Sequence, residues 1–315
     1  MEKKLLKSPD IYTGSKTYLF AVLFNLLAQI VISTIIILVR SASPTLIDTI
    51  SVVGMLLIQV FVFFALLISV KGGVGVGKIQ AEWQTLVVCA LLGVASVFVF
   101  ALAVGGFEKL LEFIGYNGSG EIYLDPFGLV IFILASVILA PIIEELVFRG
   151  YLLKGVKSRF GSFWAVTISA ITFALVHMSP NQTVYQLCFG VMLALMANST
   201  NSVLPSIIAH SASNLTAVVL SFCSVNPTTL AVGSTTGIIV FSILLALGIV
   251  GLIFMPKLLA KLERISPEQN DGGECSADEQ DGKKVKTATG VSMILLGIFL
   301  CLIIWISNFS AGFIL

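Results

Sequence analysis

Charge is the property this sequence has least of. Only 11% of its 315 residues are charged and 57% are apolar, whereas soluble globular proteins carry about 25% charged residues. A water-soluble fold could not bury so much apolar surface, so lipid must be the solvent. The net charge is only +1, and no basic patch with interleaved aromatic residues occurs. Nucleic acid is therefore excluded as a partner.

Paired thiols are also missing. The chain has five cysteines and no CxxC spacing: Cys89, Cys188, Cys223, Cys275 and Cys301. Four of the five lie in apolar runs. This pattern predicts free thiols that pack as small hydrophobic side chains, and it argues against a disulfide framework or a thiolate metal site.

A nucleotide-binding loop is absent despite one near match. Residues 72–78 are rich in glycine and end in Lys78, but the next residue is Ile79, where a phosphate-binding loop needs Ser or Thr. An apolar run precedes the loop instead of a β-strand. We therefore predict no nucleotide partner.

Long apolar runs are what the sequence does contain, and about 20 such residues cross the hydrocarbon core of a bilayer. The runs lie near 17–39, 45–70, 84–106, 127–148, 162–178, 184–198, 203–223, 235–256 and 288–310. The fifth and sixth are short and are separated by residues 179–182. The sequence thus predicts an all-α, polytopic transmembrane bundle of eight or nine spans.

Basic residues predict the orientation of the bundle. The first run is too long for a signal-peptide core and no small-residue cleavage site follows it, so we interpret it as a retained span. With the N-terminus in the cytoplasm and nine spans, every Lys and Arg except Arg40 and Lys109 falls on the inside. This predicts a multi-pass protein of a cell membrane, with its N-terminus in the cytoplasm.

Ionisable residues inside the fourth run form the first candidate site. Each charge at a helix centre costs about 2.5–3.5 kcal/mol on insertion scales, yet Glu144, Glu145 and Arg149 end this run. Glu145 and Arg149 are i,i+4 neighbours that can pair, while Glu144 lies about 100° round the helix and points elsewhere. Pro141 frees a backbone carbonyl about one turn earlier.

The only two histidines lie in later apolar runs. His177 ends one run, and His210 shares a helical face with Asn214. A lone membrane histidine is most often a packed, hydrogen-bonding residue, but two of them together with a buried Glu pair favour a functional site. For Asn25, Gln29 and Gln59 in the first spans, we expect ordinary hydrogen bonds between helices.

The distance of each residue from the nearest turn indicates that these side chains lie at similar depths in the membrane. If the helix of Glu144 continues to a turn near residues 160–161, then Glu144 and His177 each lie about 16 residues, or about 24 Å, from that turn. His210 lies about 13 Å beyond the next inside turn, at residues 200–201. The spacing therefore predicts a buried cluster of Glu, His, His and Asn that is reachable from the cytoplasm.

Three motifs on successive spans carry a family resemblance. Glu-Glu-x-x-x-Arg at 144–149, Phe-x-x-x-His at 173–177 and His-x-x-x-Asn at 210–214 resemble those of the CPBP family. These are the CAAX-protease and bacteriocin-processing intramembrane peptidases, also called Abi proteins. The similarity covers about residues 125–222 and includes Pro141.

The resemblance implies an intramembrane endopeptidase. Glu144 and His177 would activate a water molecule, His210 and Asn214 would donate hydrogen bonds to the oxyanion, and Glu145 would support the site together with Arg149. Substrates would be membrane-embedded or lipidated, as in CAAX processing or in the maturation of leader and pheromone peptides. The expected setting is the bacterial cytoplasmic membrane.

Other functions remain open at this stage. A metalloprotease alternative has Zn²⁺ held by Glu144, His177 and His210, the His₂Glu set of catalytic zinc. A second alternative is a non-proteolytic bacteriocin-immunity or regulatory protein on the same scaffold. A transporter is disfavoured because no inverted repeat is evident.

Five regions follow along the chain. Residues 1–125 form a three-span N-terminal region, and 126–223 form the catalytic core. Residues 224–262 hold a further span and its cytoplasmic exit, 263–286 are expected to form a disordered cytoplasmic linker, and 287–315 hold the last span. The linker is expected to be disordered because it is polar and lacks aromatic residues.

Overall fold

The computed structural model is a bundle of α-helices. It describes residues 8–39, 44–70, 79, 81–116, 126–223, 235–263 and 277–313. Ten α-helices occur in these ranges: α1 Ile11–Leu38, α2 Pro44–Ser69, α3 Trp83–Phe113, α4 Pro126–Ile133, α5 Ala140–Glu145, α6 Lys154–Val176, α7 Thr183–Thr200, α8 Leu204–Phe222, α9 Thr235–Leu262 and α10 Ala277–Ala311. Two π-helical segments, Leu134–Leu139 and Leu146–Leu153, join α4 to α5 and α5 to α6.

Each predicted apolar run is helical, which confirms the polytopic helical bundle. Within the described ranges, seven helices are long and apolar enough to cross a membrane. One of the seven, Pro126–Val176, is the continuous stretch from α4 to α6 and contains the fourth and fifth predicted runs.

A glycine separates those two runs. Gly161 has φ 81° and ψ 175° inside α6, a backbone conformation that L-residues with a Cβ rarely adopt. The helical chain therefore runs from residue 126 through Arg149 to residue 160 and turns there, as the depth argument predicts. Glu144 is thereby set back from the turn and not left at a helix end.

The linker prediction for residues 263–286 is wrong in its second half, because α10 begins at Ala277. Residues 277–286 include three lysines and one each of Ala, Glu and Gln, which have high helix propensity. Composition suggested disorder, but these residues continue an apolar helix. Residues 264–276 lie outside the described part of the chain.

Two other sequence predictions concern residues of which the structure describes only some. The four described cysteines, Cys89, Cys188, Cys223 and Cys301, are free thiols as expected, while Cys275 lies outside the described residues. The glycine-rich loop at 72–78 also lies outside them.

Close backbone contacts fix the helices that carry the predicted motifs. A Cβ on Gly93 of α3 would overlap the carbonyl oxygen of Ala209, the residue before His210. A Cβ on Gly14 of α1 would lie 3.2 Å from the Cα of Gly155 at the start of α6. Helices from the N-terminal region thus pack directly against the motif-bearing helices.

The last helix lies along the first. Gly290 of α10 meets Ile11, and Gly297 of α10 meets the ring of Tyr18. Tyr18 is fully buried and its ring contacts Phe148 edge-on, at 6.0 Å between centroids. The core therefore joins both ends of the chain to the helix of the Glu pair.

Candidate functional site

Two π-helical segments flank the short helix that carries the Glu pair. In the first of them the amide of Ala140 donates to the carbonyl of Ala135, five residues back. The next residue, Pro141, has no N–H, so in this register the carbonyl of Ser136 loses its backbone donor. Asn214 Nδ2 supplies one from α8 at 2.7 Å. The freed carbonyl expected from Pro141 is thus Ser136, and it fixes the Asn214 amide.

Glu145 and Arg149 form the expected i,i+4 pair. Arg149 Nη1 donates to Glu145 Oε1 at 2.9 Å, and both side chains are fully buried. Arg149 Nη2 also donates to the carbonyl of Gly190 in α7 at 3.1 Å. The guanidinium lies 4.2 Å from the ring centroid of Phe173, within the range of a cation–π contact. The pair therefore connects three elements of the core.

His210 contacts both glutamates. Its Nδ1 lies 3.1 Å from Glu145 Oε1, and a carboxylate that pairs with Arg149 is an acceptor only, so Nδ1–H donates. Its Nε2 then faces Glu144 Oε2 at 4.0 Å. Glu145 thus orients the ring that approaches Glu144.

His177 is oriented by its own helix. Its Nδ1 lies 2.8 Å from the carbonyl oxygen of Phe173, which can only accept, so Nδ1–H donates and Nε2 is left with a lone pair. The Phe173 ring contacts His177 and His210 edge-on, with centroid distances of 5.0 and 5.7 Å. One buried phenylalanine therefore positions both imidazoles.

One cavity of about 330 Å³ collects the predicted residues. Glu144, His177, His210 and Asn214 all line it, whereas Glu145 and Arg149 do not. The Glu144 side chain is 18% exposed, and the approach to His210 is its one polar contact in the described part of the chain. The division expected from helix geometry is confirmed, with one carboxylate paired and the other facing the cavity.

The three residues predicted as zinc ligands were also compared with the geometry of a metal site. No three His, Cys, Asp or Glu side chains within the described ranges lie close enough together to hold a metal ion. As placed, Glu144, His177 and His210 therefore do not fit a zinc site. Zinc stays a prediction, and the scheme proposed below takes no step through it.

Amide side chains line the same cavity, and the sequence interpretation did not assign them to the site. These are Asn25 and Gln29 of α1, Gln59 of α2, and Gln182 and Gln186 at the start of α7. Gln29 Nε2 donates to Asn25 Oδ1 at 2.8 Å within α1, and it also lies 3.8 Å from Met178 Sδ in the turn after α6, so Gln29 has a polar contact outside its own helix as well. The i,i+4 spacing of Asn25 and Gln29, and of Gln182 and Gln186, was the available signal.

A buried hydroxyl network lies behind His210. Ser213 Oγ is 2.6 Å from Tyr185 Oη and 3.3 Å from Ser96 Oγ. The Tyr185 ring stacks on Phe189, whose ring in turn meets His210 edge-on at 5.3 Å between centroids. Residues of α3, α7 and α8 thus hold the imidazole from behind.

The match to a known family falls on this region. Residues 126–216 match the family model of type II CAAX prenyl endopeptidase Rce1-like proteins, which belong to the CPBP family. The match contains all six motif residues and ends before the last two helices. It confirms the resemblance that the motifs carry. No curated protein and no solved structure matches the chain significantly.

Proposed function

We propose that this protein, whose residues 126–216 match the Rce1-like CAAX prenyl endopeptidase model, is an endopeptidase that cleaves membrane-embedded or lipidated CAAX-type peptides with a Glu-activated water molecule. The observation that carries this proposal is the unequal environment of the adjacent glutamates. Glu145 is fully buried and paired with Arg149, while Glu144 faces a cavity that also holds both imidazoles. A general base must be within reach of a water molecule, and Glu144 meets that need.

The chemistry begins with a proton transfer. Glu144 takes one proton from water while His177 Nε2 accepts a hydrogen bond from the other hydrogen. The water oxygen forms a bond to the scissile carbonyl carbon, and the C=O π pair moves to oxygen. The product is a tetrahedral oxyanion, and the proton stays on Glu144.

The second half of the scheme needs donors and an acid. Asn214 has a second N–H beyond the one on Ser136, and a hydrogen on His210 Nε2 would supply a second donor, because Nδ1–H is held by Glu145. Both groups donate to the oxyanion and stabilise it. Removing one such donor typically lowers kcat by a factor of about 10²–10³. The C–N bond then breaks, and Glu144 returns its proton to the leaving amine.

Conservative and truncating changes test the scheme. Glu144→Gln keeps the size of the side chain but removes the base, and His177→Ala removes the acceptor. We expect each to lower cleavage of a farnesylated CAAX peptide by at least about a hundredfold, measured with purified protein in detergent or bilayer. Wild-type rates in both variants would contradict the roles given to Glu144 and His177, whereas no cleavage by the wild-type protein would favour the non-proteolytic alternative. Metal analysis of the same wild-type preparation, with its activity after chelation, tests the zinc prediction.

A further inference from the structure

Five amide side chains besides Asn214 line the cavity, and we call these five the amide wall: Asn25, Gln29, Gln59, Gln182 and Gln186. None of them belongs to the three motifs, and the first three precede the Rce1-like match at 126–216. The wall therefore combines the N-terminal helices with α7. A single cavity bounded by two parts of the chain indicates a site that neither part forms alone.

Two oxygens of the wall lack a donor. Gln59 Oε1 and Gln186 Oε1 are buried and have no hydrogen-bond partner among the residues that the structure describes. Buried polar atoms of native proteins are nearly always paired, because a buried acceptor without a donor costs stability. Both atoms belong to side chains that line the cavity. An occupant with N–H groups would satisfy them.

The wall begins beside the base. Asn25 and Gln59 also line a second, smaller cavity of about 40 Å³ together with Glu144. The Gln29–Asn25 hydrogen bond uses the amide nitrogen of one and the amide oxygen of the other, which leaves Asn25 Nδ2 as a donor and Gln29 Oε1 as an acceptor. The wall therefore offers both donors and acceptors in the cavity that Glu144 lines.

The amide wall carries no charge, and this indicates the class of ligand that it would bind. The ionisable residues around the larger cavity are Glu144, His177 and His210, all used in the proposed chemistry, and the remaining polar lining is neutral. Primary amides carry donors and acceptors that match peptide N–H and C=O groups. Such a surface suits an uncharged peptide backbone and offers no counter-charge to an acidic or basic side chain.

The bilayer explains why a peptide substrate would need hydrogen-bond partners in the cavity. In lipid, backbone N–H and C=O groups must be satisfied within the segment, so a membrane peptide is helical. A protease must unwind the segment to reach its carbonyl, and unwinding exposes N–H groups that lose their partners. Amides at the cavity would replace those partners beside the scissile bond.

We propose that the amide wall binds the backbone of an unwound, extended substrate segment next to the scissile bond, with Gln59 Oε1 and Gln186 Oε1 each accepting one substrate N–H. This inference rests on the proposed protease function. It makes α1 and α2 part of the substrate site and assigns recognition there to the peptide backbone instead of to side chains.

The test uses Gln59→Leu and Gln186→Leu in the full-length protein, with a farnesylated CAAX peptide as the probe. The matched control is Asn198→Leu, since Asn198 is also a buried amide of α7 with an unpartnered Oδ1 but does not line the cavity. Removal of one acceptor should raise KM about three- to tenfold and change kcat less. The control should keep the wild-type KM.

A set of N-methylated probes separates binding from a structural role. Methylation of one backbone nitrogen near the scissile bond removes the donor that Gln59 would accept, so it should raise the wild-type KM by a similar factor. In Gln59→Leu the same methylation should have no further effect, because the pair is already broken. A misfolded variant would not show this loss of additivity.

The possible outcomes separate the two proposals. If Glu144→Gln is inactive but the Gln→Leu variants match the Asn198→Leu control, the amide wall has no role in binding and only this inference is overturned. Additive effects for every N-methyl position overturn it as well. If wild type leaves every probe uncut, or Glu144→Gln cuts at the wild-type rate, the protease proposal itself fails and takes this inference with it.

Discussion

At the residue scale, two glutamates that are adjacent in sequence have different surroundings. Glu145 lies in the core, where Arg149 and His210 both contact its Oε1 at 2.9 and 3.1 Å. Glu144 lies about 100° further round the helix and faces the cavity. A single residue step along the helix therefore separates the paired carboxylate from the one that faces the cavity, and this division could be predicted from the spacing alone.

Removing Arg149 should destabilise the protein. Arg149→Met leaves Glu145 charged, fully buried and without its cation, and breaking a buried ion pair in this way costs about 3–5 kcal/mol. We expect a lower midpoint of unfolding in detergent by chemical denaturation. The double variant with Glu145→Gln should recover part of the loss, since no buried charge then remains unpaired. Equal midpoints for wild type and Arg149→Met would show that the pair contributes nothing.

The amides show where residue-level interpretation from sequence fell short. Asn25 and Gln59 are polar residues in apolar spans, and the usual interpretation of such residues is hydrogen bonding between helices. Spacing within one span could not reveal that α1 and α2 lie against the cavity. That information depends on which helices are neighbours, and only packing decides it.

At the scale of elements, irregular turns flank the helix of the Glu pair. The π-helical segments Leu134–Leu139 and Leu146–Leu153 enclose Ala140–Glu145, and π-helical turns often occur at functional sites. Pro141 predicted a disturbed helix, and the structure shows that the freed carbonyl is used by Asn214. The sequence could indicate the disturbance but not its partner.

Helix α3 sets the position of His210. Gly93→Ala would place a methyl group against the Ala209 carbonyl, and overpacking of this kind typically costs about 1–3 kcal/mol. Because the contact is with backbone, α8 must shift, and we expect at least a tenfold loss of cleavage together with a lower unfolding midpoint.

The control for this change lies on the same helix. A Cβ on Gly106 would meet nothing within 4 Å, so Gly106→Ala should keep wild-type activity. A Gly93→Ala protein that cleaves as fast as Gly106→Ala would show that the α3–α8 contact does not position the imidazole.

At the scale of the whole molecule, the last helix stabilises the segment that follows His177. Asn308 Nδ2 donates to the Met178 carbonyl at 2.8 Å, and Trp305 Nε1 donates to Thr183 Oγ1 at 2.8 Å. Met178 has φ 52°, a left-handed conformation that costs about 1–3 kcal/mol for a residue with a Cβ and persists only when its surroundings hold it. Helix α10 supplies those contacts from outside the family match.

Asn308→Leu should therefore reduce activity from a distance. Without its donor, the Met178 carbonyl loses its partner and the turn after His177 relaxes, so we expect about a three- to tenfold loss of kcat, in line with one hydrogen bond. The measurement is probe cleavage by the full-length protein. Ser292→Ala is the control, since the Ser292 hydroxyl donates within its own helix, to the Ala288 carbonyl. Equal rates in the two variants would exclude α10 from site positioning.

The sequence alone determined the class of fold, the positions of the spans and the identity of the motif residues. Composition and run length report the solvent directly, and the 3.6-residue repeat fixes which side chains share a helical face. It also placed the turn at Gly161, because depth along a helix is linear in residue number. The cytoplasmic N-terminus, which depends on the distribution of charge, stays a prediction.

Only the tertiary structure decided what surrounds the motif residues. It placed α1 and α2 along the cavity, packed α3 on α8 at Gly93 and set α10 against the turn after His177. It also began α10 at Ala277, within the linker that composition had assigned to disorder. These contacts join residues far apart in the chain, and local periodicity carries no information about which helix packs against which. The scarcity of charge thus identified the solvent, while packing brought Glu144 and the two histidines to one cavity.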